Sequence, residues 1–182
     1  ECCRRRVVLF EHQGKGKPWH KARTMAGGVI GSDQPPYLIA ELWGSQNGEL
    51  DRVFKLIDMA KASGADAVKI QTYTADRITI DHDGPGFFIE GGLWKGRTLH
   101  NLYQEAHTPW EWHASIFAYA AKVGIPVFSS PFDPSAVDLL AELGAPAYKI
   151  ASFEIVDLPL IRYVAQQGKP VIVSTGMASL GE

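Results

Sequence analysis

The sequence predicts an α/β fold in which parallel strands alternate with helices. Three features carry that reading: short apolar runs without hydrophobic–polar alternation, amphipathic stretches of helical length between them, and a polar residue at the end of every run. A strand that is apolar on both sides is covered on both faces, and strands separated by helices pair in parallel through right-handed crossovers. At this level an open doubly wound sheet and a (β/α)8 barrel both fit.

Tyr37 to Leu42 is the first apolar run. The turn residues Gly44, Ser45, Asn47 and Gly48 follow it, and from Leu50 to Ala62 the residues Leu50, Val53, Phe54, Leu56, Ile57 and Ala60 fall on one helical face. Ala67 to Gln71 is the second strand, Trp110 to Val123 a helix, Pro126 to Ser129 the third strand and Ser135 to Leu143 a helix. Ala147 to Ala151 is the fourth strand, Leu158 to Gln166 a helix, and Pro170 to Ser174 a fifth strand. Thr72 to Thr108 is longer than an ordinary connection and rich in Gly, Asp and aromatics, as expected of a lid or rim over a site. Thr108 and Pro109 read as the N-cap and first position of the helix that follows, with His107, Trp110, Trp112 and His113 as packing and capping residues. The six-residue spacing of the two histidines does not put both on one helical face, as the four-residue spacing of a zinc helix does.

Residues 1 to 24 are basic and aperiodic, with Gly14, Gly16 and Pro18 breaking any pattern, so they are expected to be a non-native or disordered extension before an initiator at Met25. The other end stops eight residues after an apolar strand that no helix covers, and the chain is expected to be a fragment.

The 182 residues suit about one domain, and 46% apolar with 21% charged residues is the balance of a globular chain. Eighteen Lys and Arg against 20 Asp and Glu give a formal charge of −2, which supplies no broad cationic surface for nucleic acid or anionic lipid. The only cysteines, Cys2 and Cys3, are adjacent, which offers neither a disulfide framework nor a cysteine zinc site and reads as a cytoplasmic protein. No apolar run approaches the roughly 18 residues of a membrane helix.

The chemistry lies at the strand ends. Glu41 closes the first strand, Lys69 and Gln71 the second, Ser129 and Ser130 the third, Lys149 followed by Ser152 and Glu154 the fourth, and Ser174 with Thr175 the fifth. A parallel barrel gathers these ends on one face. Two lysines inside buried-looking strands need a partner, since an unpaired buried ammonium is costly; the alternatives are an anion site and a structural Lys–Glu pair. Two ammonium groups, several hydroxyls and backbone N–H groups suit a small, multiply anionic ligand such as a phosphorylated carboxylate. Glu41 and Glu154 would then accept hydrogen bonds from hydroxyls or act as proton acceptor and donor. No Walker or dinucleotide glycine loop is present, since Gly14-Lys15-Gly16-Lys17 lacks a preceding strand and Ser174-Thr175-Gly176-Met177 lacks the repeated glycines.

Together, Tyr37-Leu38-Ile39-Ala40-Glu41-Leu42, Gly64-Ala65-Asp66-Ala67-Val68-Lys69-Ile70-Gln71-Thr72, Phe128-Ser129-Ser130-Pro131-Phe132-Asp133, Tyr148-Lys149-Ile150-Ala151-Ser152-Phe153-Glu154-Ile155 and Ser174-Thr175-Gly176-Met177 closely resemble the sialic acid synthase family, over Pro35 to the C-terminus. The stretches Glu105 to His113 and Ser152 to Pro159 are similar to its pseudaminic acid synthase branch. The resemblance implies a (β/α)8 TIM barrel, here with about its first five strands and four helices, the rest of the barrel and a C-terminal antifreeze-like domain lying beyond the chain. It implies condensation of phosphoenolpyruvate with 2,4-diacetamido-2,4,6-trideoxy-altrose to give pseudaminic acid and phosphate. N-acetylneuraminate or legionaminate synthase, a 3-deoxy-heptulosonate-type enzyme and an inactive half barrel are the alternatives.

Carried over by motif, Lys69, Ser130, Lys149, Ser152 and Ser174 would hold phosphoenolpyruvate, Gln71 and Glu154 would contact the sugar, and Glu154 could accept a proton from water. A divalent metal, Mn or Mg, would be held by residues beyond this chain, which alone is expected to be inactive; the full-length protein would be a homodimer. The family's Asn-His-Asn after the first strand is replaced here by Gly44-Ser45-Gln46-Asn47-Gly48.

Overall fold

The computed structural model describes residues 7–10, 23–31, 33–42, 48–92, 94–176 and 178–179. The turn expected over residues 44–47 and most of the expected extension lie outside them. The backbone of β1 (Val7–Phe10) runs antiparallel to the last strand. A hairpin follows, β2 (Arg23–Met25) and β3 (Gly28–Ile30), so Met25 falls within it. Its two-residue loop, Ala26-Gly27, has φ of +50° and +85°, the left-handed pair of a turn whose twist matches a hairpin.

The strand–helix alternation is present as expected. β4 (Ile39–Glu41), α1 (Leu50–Ala62), β5 (Ala67–Thr72), two short helices α2 (Ala75–Ile78) and α3 (Leu99–Ala106), α4 (Trp112–Val123), β6 (Val127–Pro131), α5 (Pro134–Glu142), β7 (Tyr148–Ile150), a 3₁₀ turn (Phe153–Val156), α6 (Leu158–Gln166) and β8 (Val171–Ser174) follow in order. The sheet order is β1-β8-β7-β6-β5-β4, and β4 to β8 are parallel. Each of those five strands lies beside its neighbour in sequence. A doubly wound sheet reverses strand order at a switch point, and no reversal occurs here, so the five strands form the wall of a barrel.

Two expectations are corrected. The 72–108 segment is not a loop throughout: Leu99, Leu102, Tyr103 and Ala106 make a helical stripe capped by Thr98, whose hydroxyl accepts from the Asn101 N–H at 3.2 Å. Thr108 does not cap α4. The helix starts at Trp112, its Glu111 N-cap makes no side-chain cap bond, and Thr108 is buried in the approach.

Period-two alternation divides each strand between two environments. The outward residues Val68, Ile70 and Val127 pack on α1 and α4 through Val53, Ile57, Ile116 and Ala120. Tyr148, Ile150, Val171 and Val173 pack on α5 and α6 through Val137, Leu140, Leu160 and Val164. Inward, Ala67, Phe128, Ala147 and Ile172 form an apolar floor that Met25 of the hairpin closes from below. Burying the Met25 side chain contributes about 2 kcal/mol to holding this floor. Asp133 caps α5 by accepting from the Ser135 and Ala136 N–H groups (2.8 and 3.3 Å), and Asp157 caps α6 through Leu160 (3.0 Å). The helices that follow β6 and β7 thus start at fixed points just past the strand ends. At the far side, β4 is an edge strand with Leu38 and Ile39 exposed, a surface that favours association.

Candidate active site

Two residues above each floor position, on the same inward face, stand Lys69, Ser130, Lys149 and Ser174. Four of the strand-end residues singled out from the sequence therefore make one layer, set directly on an apolar floor. Lys69, Ser130 and Ser174 are buried, and Lys149 is half-buried. The next step up brings Gln71, Phe132 and Ala151 to the wall of a cleft of about 850 Å³, joined there by Glu41, Lys149, Ser152 and Glu154. Of the eight anticipated residues, five line this cleft; Lys69, Ser130 and Ser174 lie in the strands beneath.

Register explains how Glu41 and Lys69 meet: they are directly paired between β4 and β5, and the ammonium donates to Glu41 Oε1. The Gln71 amide donates to the same oxygen at 3.3 Å. The Lys–Glu pairing left open by the sequence is thus what holds Lys69, and it faces a roomy cleft rather than a closed core. Burial pushes the Glu41 carboxyl up, but the Lys69 hydrogen bond and charge outweigh it, with help from Gln71 and Lys149; the net shift is downward. Glu41 is therefore a fixed anion at neutral pH.

Glu154 lies under opposite influences. Burial raises its pKa, Asp157 adds to that, and Lys149 and a backbone N–H only partly offset it. Its Oε2 is buried with no hydrogen-bond partner among the described residues, as is the Ser130 hydroxyl. Two carboxylates whose environments separate their pKa values divide into a permanent charge and a proton carrier. The sequence left both roles open for both residues; burial and neighbours distinguish them.

Ser152 is positioned from two sides. It precedes the 3₁₀ turn, and a Cβ built on Gly176 would stand 2.8 Å from its hydroxyl oxygen. Glycine at 176 is what allows the segment after β8 to approach Ser152. The 72–108 segment, expected as a lid or rim, supplies an apolar side of the cleft with Ile78, Leu99 and Tyr103, residues the sequence reading did not single out. Helical spacing from Leu99 to Ala106 was its available signal. Among the described residues no group of three or more His, Cys, Asp or Glu is placed to hold a metal, and His107 and His113 are separate, the first bonded to the Gln104 carbonyl and the second inside α4. No helix among them is long and apolar enough to cross a membrane.

The family model described as the NeuB family matches residues 56–182. The chain belongs to the NeuB family. The resemblance read from its motifs, to the sialic acid synthases, is borne out. The chain is 47% identical over 152 residues to the pseudaminic acid synthase of Campylobacter jejuni subsp. jejuni, covering 84% of this chain and 44% of that protein. It is 36% identical over 145 residues to the N,N'-diacetyllegionaminic acid synthase of the same organism, covering 80% and 43%. On sequence it lies in the pseudaminic branch. The crystal structure of N-acetylneuraminic acid synthetase from Leptospira borgpetersenii in complex with citrate superposes with a TM-score of 0.75 at 27% identity, over 89% of this chain and 52% of that one. A partial barrel of NeuB type accounts for the fold. The chain spans under half the length of the two curated relatives.

Proposed function

We propose that this NeuB-family chain carries the phosphoenolpyruvate site of a pseudaminic acid synthase, which condenses that enol phosphate with 2,4-diacetamido-2,4,6-trideoxy-altrose. The observation that carries the reading is the inward layer of Lys69, Ser130, Lys149 and Ser174 beneath the cleft. Two ammonium groups match the phosphate and carboxylate of phosphoenolpyruvate as point charges, and hydroxyls give the directional bonds that orient it. The unpartnered buried Ser130 hydroxyl fits that use. The 47% identity to a pseudaminic acid synthase, against 36% to a legionaminic acid synthase, supports the choice of sugar.

In the reaction, the methylene carbon of phosphoenolpyruvate bonds to the aldehyde carbon of the sugar, whose oxygen takes up a proton. Water then adds to the cationic former enol carbon and loses a proton, and the C–O bond to phosphate breaks as the new hydroxyl becomes the carbonyl and passes its proton to the departing phosphate. Glu154, held toward its neutral form, donates to the developing alkoxide and takes back the proton that water releases. Glu41 stays ionised and balances Lys69, while Lys69 and Lys149 stabilise the charge on carboxylate and departing phosphate. Holding both reactants in one cleft supplies much of the rate. The divalent metal implied by the resemblance would polarise the aldehyde; the described residues do not make its site.

The test is turnover by the purified full-length protein given phosphoenolpyruvate, manganese and each sugar. Phosphate release with the altrose derivative is expected. Release only with N-acetylmannosamine moves the protein to the N-acetylneuraminate branch, and release with neither refutes the proposal. Sizing the same preparation tests the homodimer.

A further inference from the structure

His113 is completely buried in the first turn of α4, takes no part in the cleft, and bonds to Thr72 of β5 and, through it, to Ser129 of β6. Its Nδ1 faces only acceptors, the carbonyls of Pro109 at 3.1 Å and Trp110 at 3.2 Å, so Nδ1 carries the proton. Burial pushes the imidazole pKa down, more than the two carbonyls raise it, and the ring is neutral. Nε2 is then a bare lone pair. It accepts from the Thr72 hydroxyl at 2.9 Å, and Thr72, its one proton spent, accepts from the Ser129 hydroxyl at 2.6 Å. Ser129 also stands 3.1 Å from the Ile70 carbonyl, so its proton is shared within β5. The chain runs one way only: Ser129 to Thr72 to His113 to the carbonyls before α4. All three side chains are fully buried.

Each strand member adjoins a residue of the proposed site. Thr72 follows Gln71 and Ser129 precedes Ser130, on the opposite faces of β5 and β6, and Gln71 and Ser130 are register partners. We infer that His113 is a positioning residue, which fixes Gln71 and Ser130 by tying the outward hydroxyls of Thr72 and Ser129 to the start of α4. This rests on the proposed function, since Gln71 and Ser130 are there the sugar and phosphoenolpyruvate contacts. Packing alone asks only for a ring of the right volume, whereas positioning asks for an acceptor at Nε2.

The experiment compares T72V, H113F, H113Q and H113N in the full-length protein. Gln places an acceptor near Nε2, and Asn keeps a donor near Nδ1. Losing one buried hydrogen bond of this network raises KM for phosphoenolpyruvate about tenfold in T72V, H113F and H113N, with kcat within about threefold, while H113Q stays near wild type. The ¹⁵N imidazole signals of His113 show the Nδ1–H tautomer. An unaltered KM in T72V, a wild-type H113N beside an impaired H113Q, or an Nε2–H tautomer overturns the inference and leaves the proposed function standing. A wild-type protein inert toward phosphoenolpyruvate refutes both. T72V keeps the test open if H113F does not fold.

Discussion

Replacing Glu41 by Gln removes the counter-charge of Lys69 without changing side-chain size. The Lys69 side chain is 4% exposed and that of Glu41 41%, so the pair is dry at one end and wet at the other. A fully buried pair broken from one side costs about 3–5 kcal/mol and an exposed one at most about 1, so about 2 kcal/mol is expected here. For a chain of this length that is a fall in Tm of about 4–8 °C at pH 7. The pH dependence is the sharper part. Because the folded carboxyl titrates below its unfolded value of about 4.3, its stabilisation is full above that pH and is lost as pH falls through the lower folded value. Melting wild type and E41Q from pH 7 to pH 3 should therefore show a gap that is constant at the neutral end and closes in acid. A gap that does not change with pH, or an E41Q protein as stable as wild type, refutes the claim that Glu41 is the ionised partner of Lys69.

The same melts on E154Q should give the opposite slope, because the Glu154 pKa is raised: the stability of its neutral form is present below the unfolded value and lost as pH rises through the folded one. E154Q should melt above wild type at pH 7, match it in acid, and lose turnover; a lower Tm at pH 7 would contradict this. G176A drives a methyl into the Ser152 hydroxyl, and the shift needed should weaken phosphoenolpyruvate binding about tenfold, read by calorimetry, with a Tm loss of a few degrees. Chelation with EDTA should stop phosphate release by the full-length protein while leaving phosphoenolpyruvate binding intact, since the proposed anion site uses lysines and hydroxyls; loss of binding would place the metal within that site.

Much of this was legible in the sequence because period two and strand ends are local properties. The five strands and four long helices stand within a few residues of their expected places. The pairs Ala67/Lys69, Phe128/Ser130, Ala147/Lys149 and Ile172/Ser174 even spell out the floor and the layer above it, once the inward face is known. The β2–β3 hairpin was not legible, since strands of three residues give no periodicity, and its Met25 plug only acquires meaning against the floor. α3 was hidden by the Gly- and Asp-rich residues before it. Glu41 and Glu154 look alike in sequence; register gives one a lysine, and burial pushes the pKa of the other up. His113 was read as packing because its partner Thr72 is 41 residues away and Ser129 is reached only through Thr72.

The account stands on Lys69 and Lys149 acting together on one anion. Calorimetric titration of phosphoenolpyruvate into the protein, into K69M and into K149M measures that directly. Saturable binding that weakens about tenfold or more with either substitution is the predicted result, as expected for loss of a charge-assisted contact. Undiminished binding in either variant, or no binding by the unsubstituted protein, would contradict it.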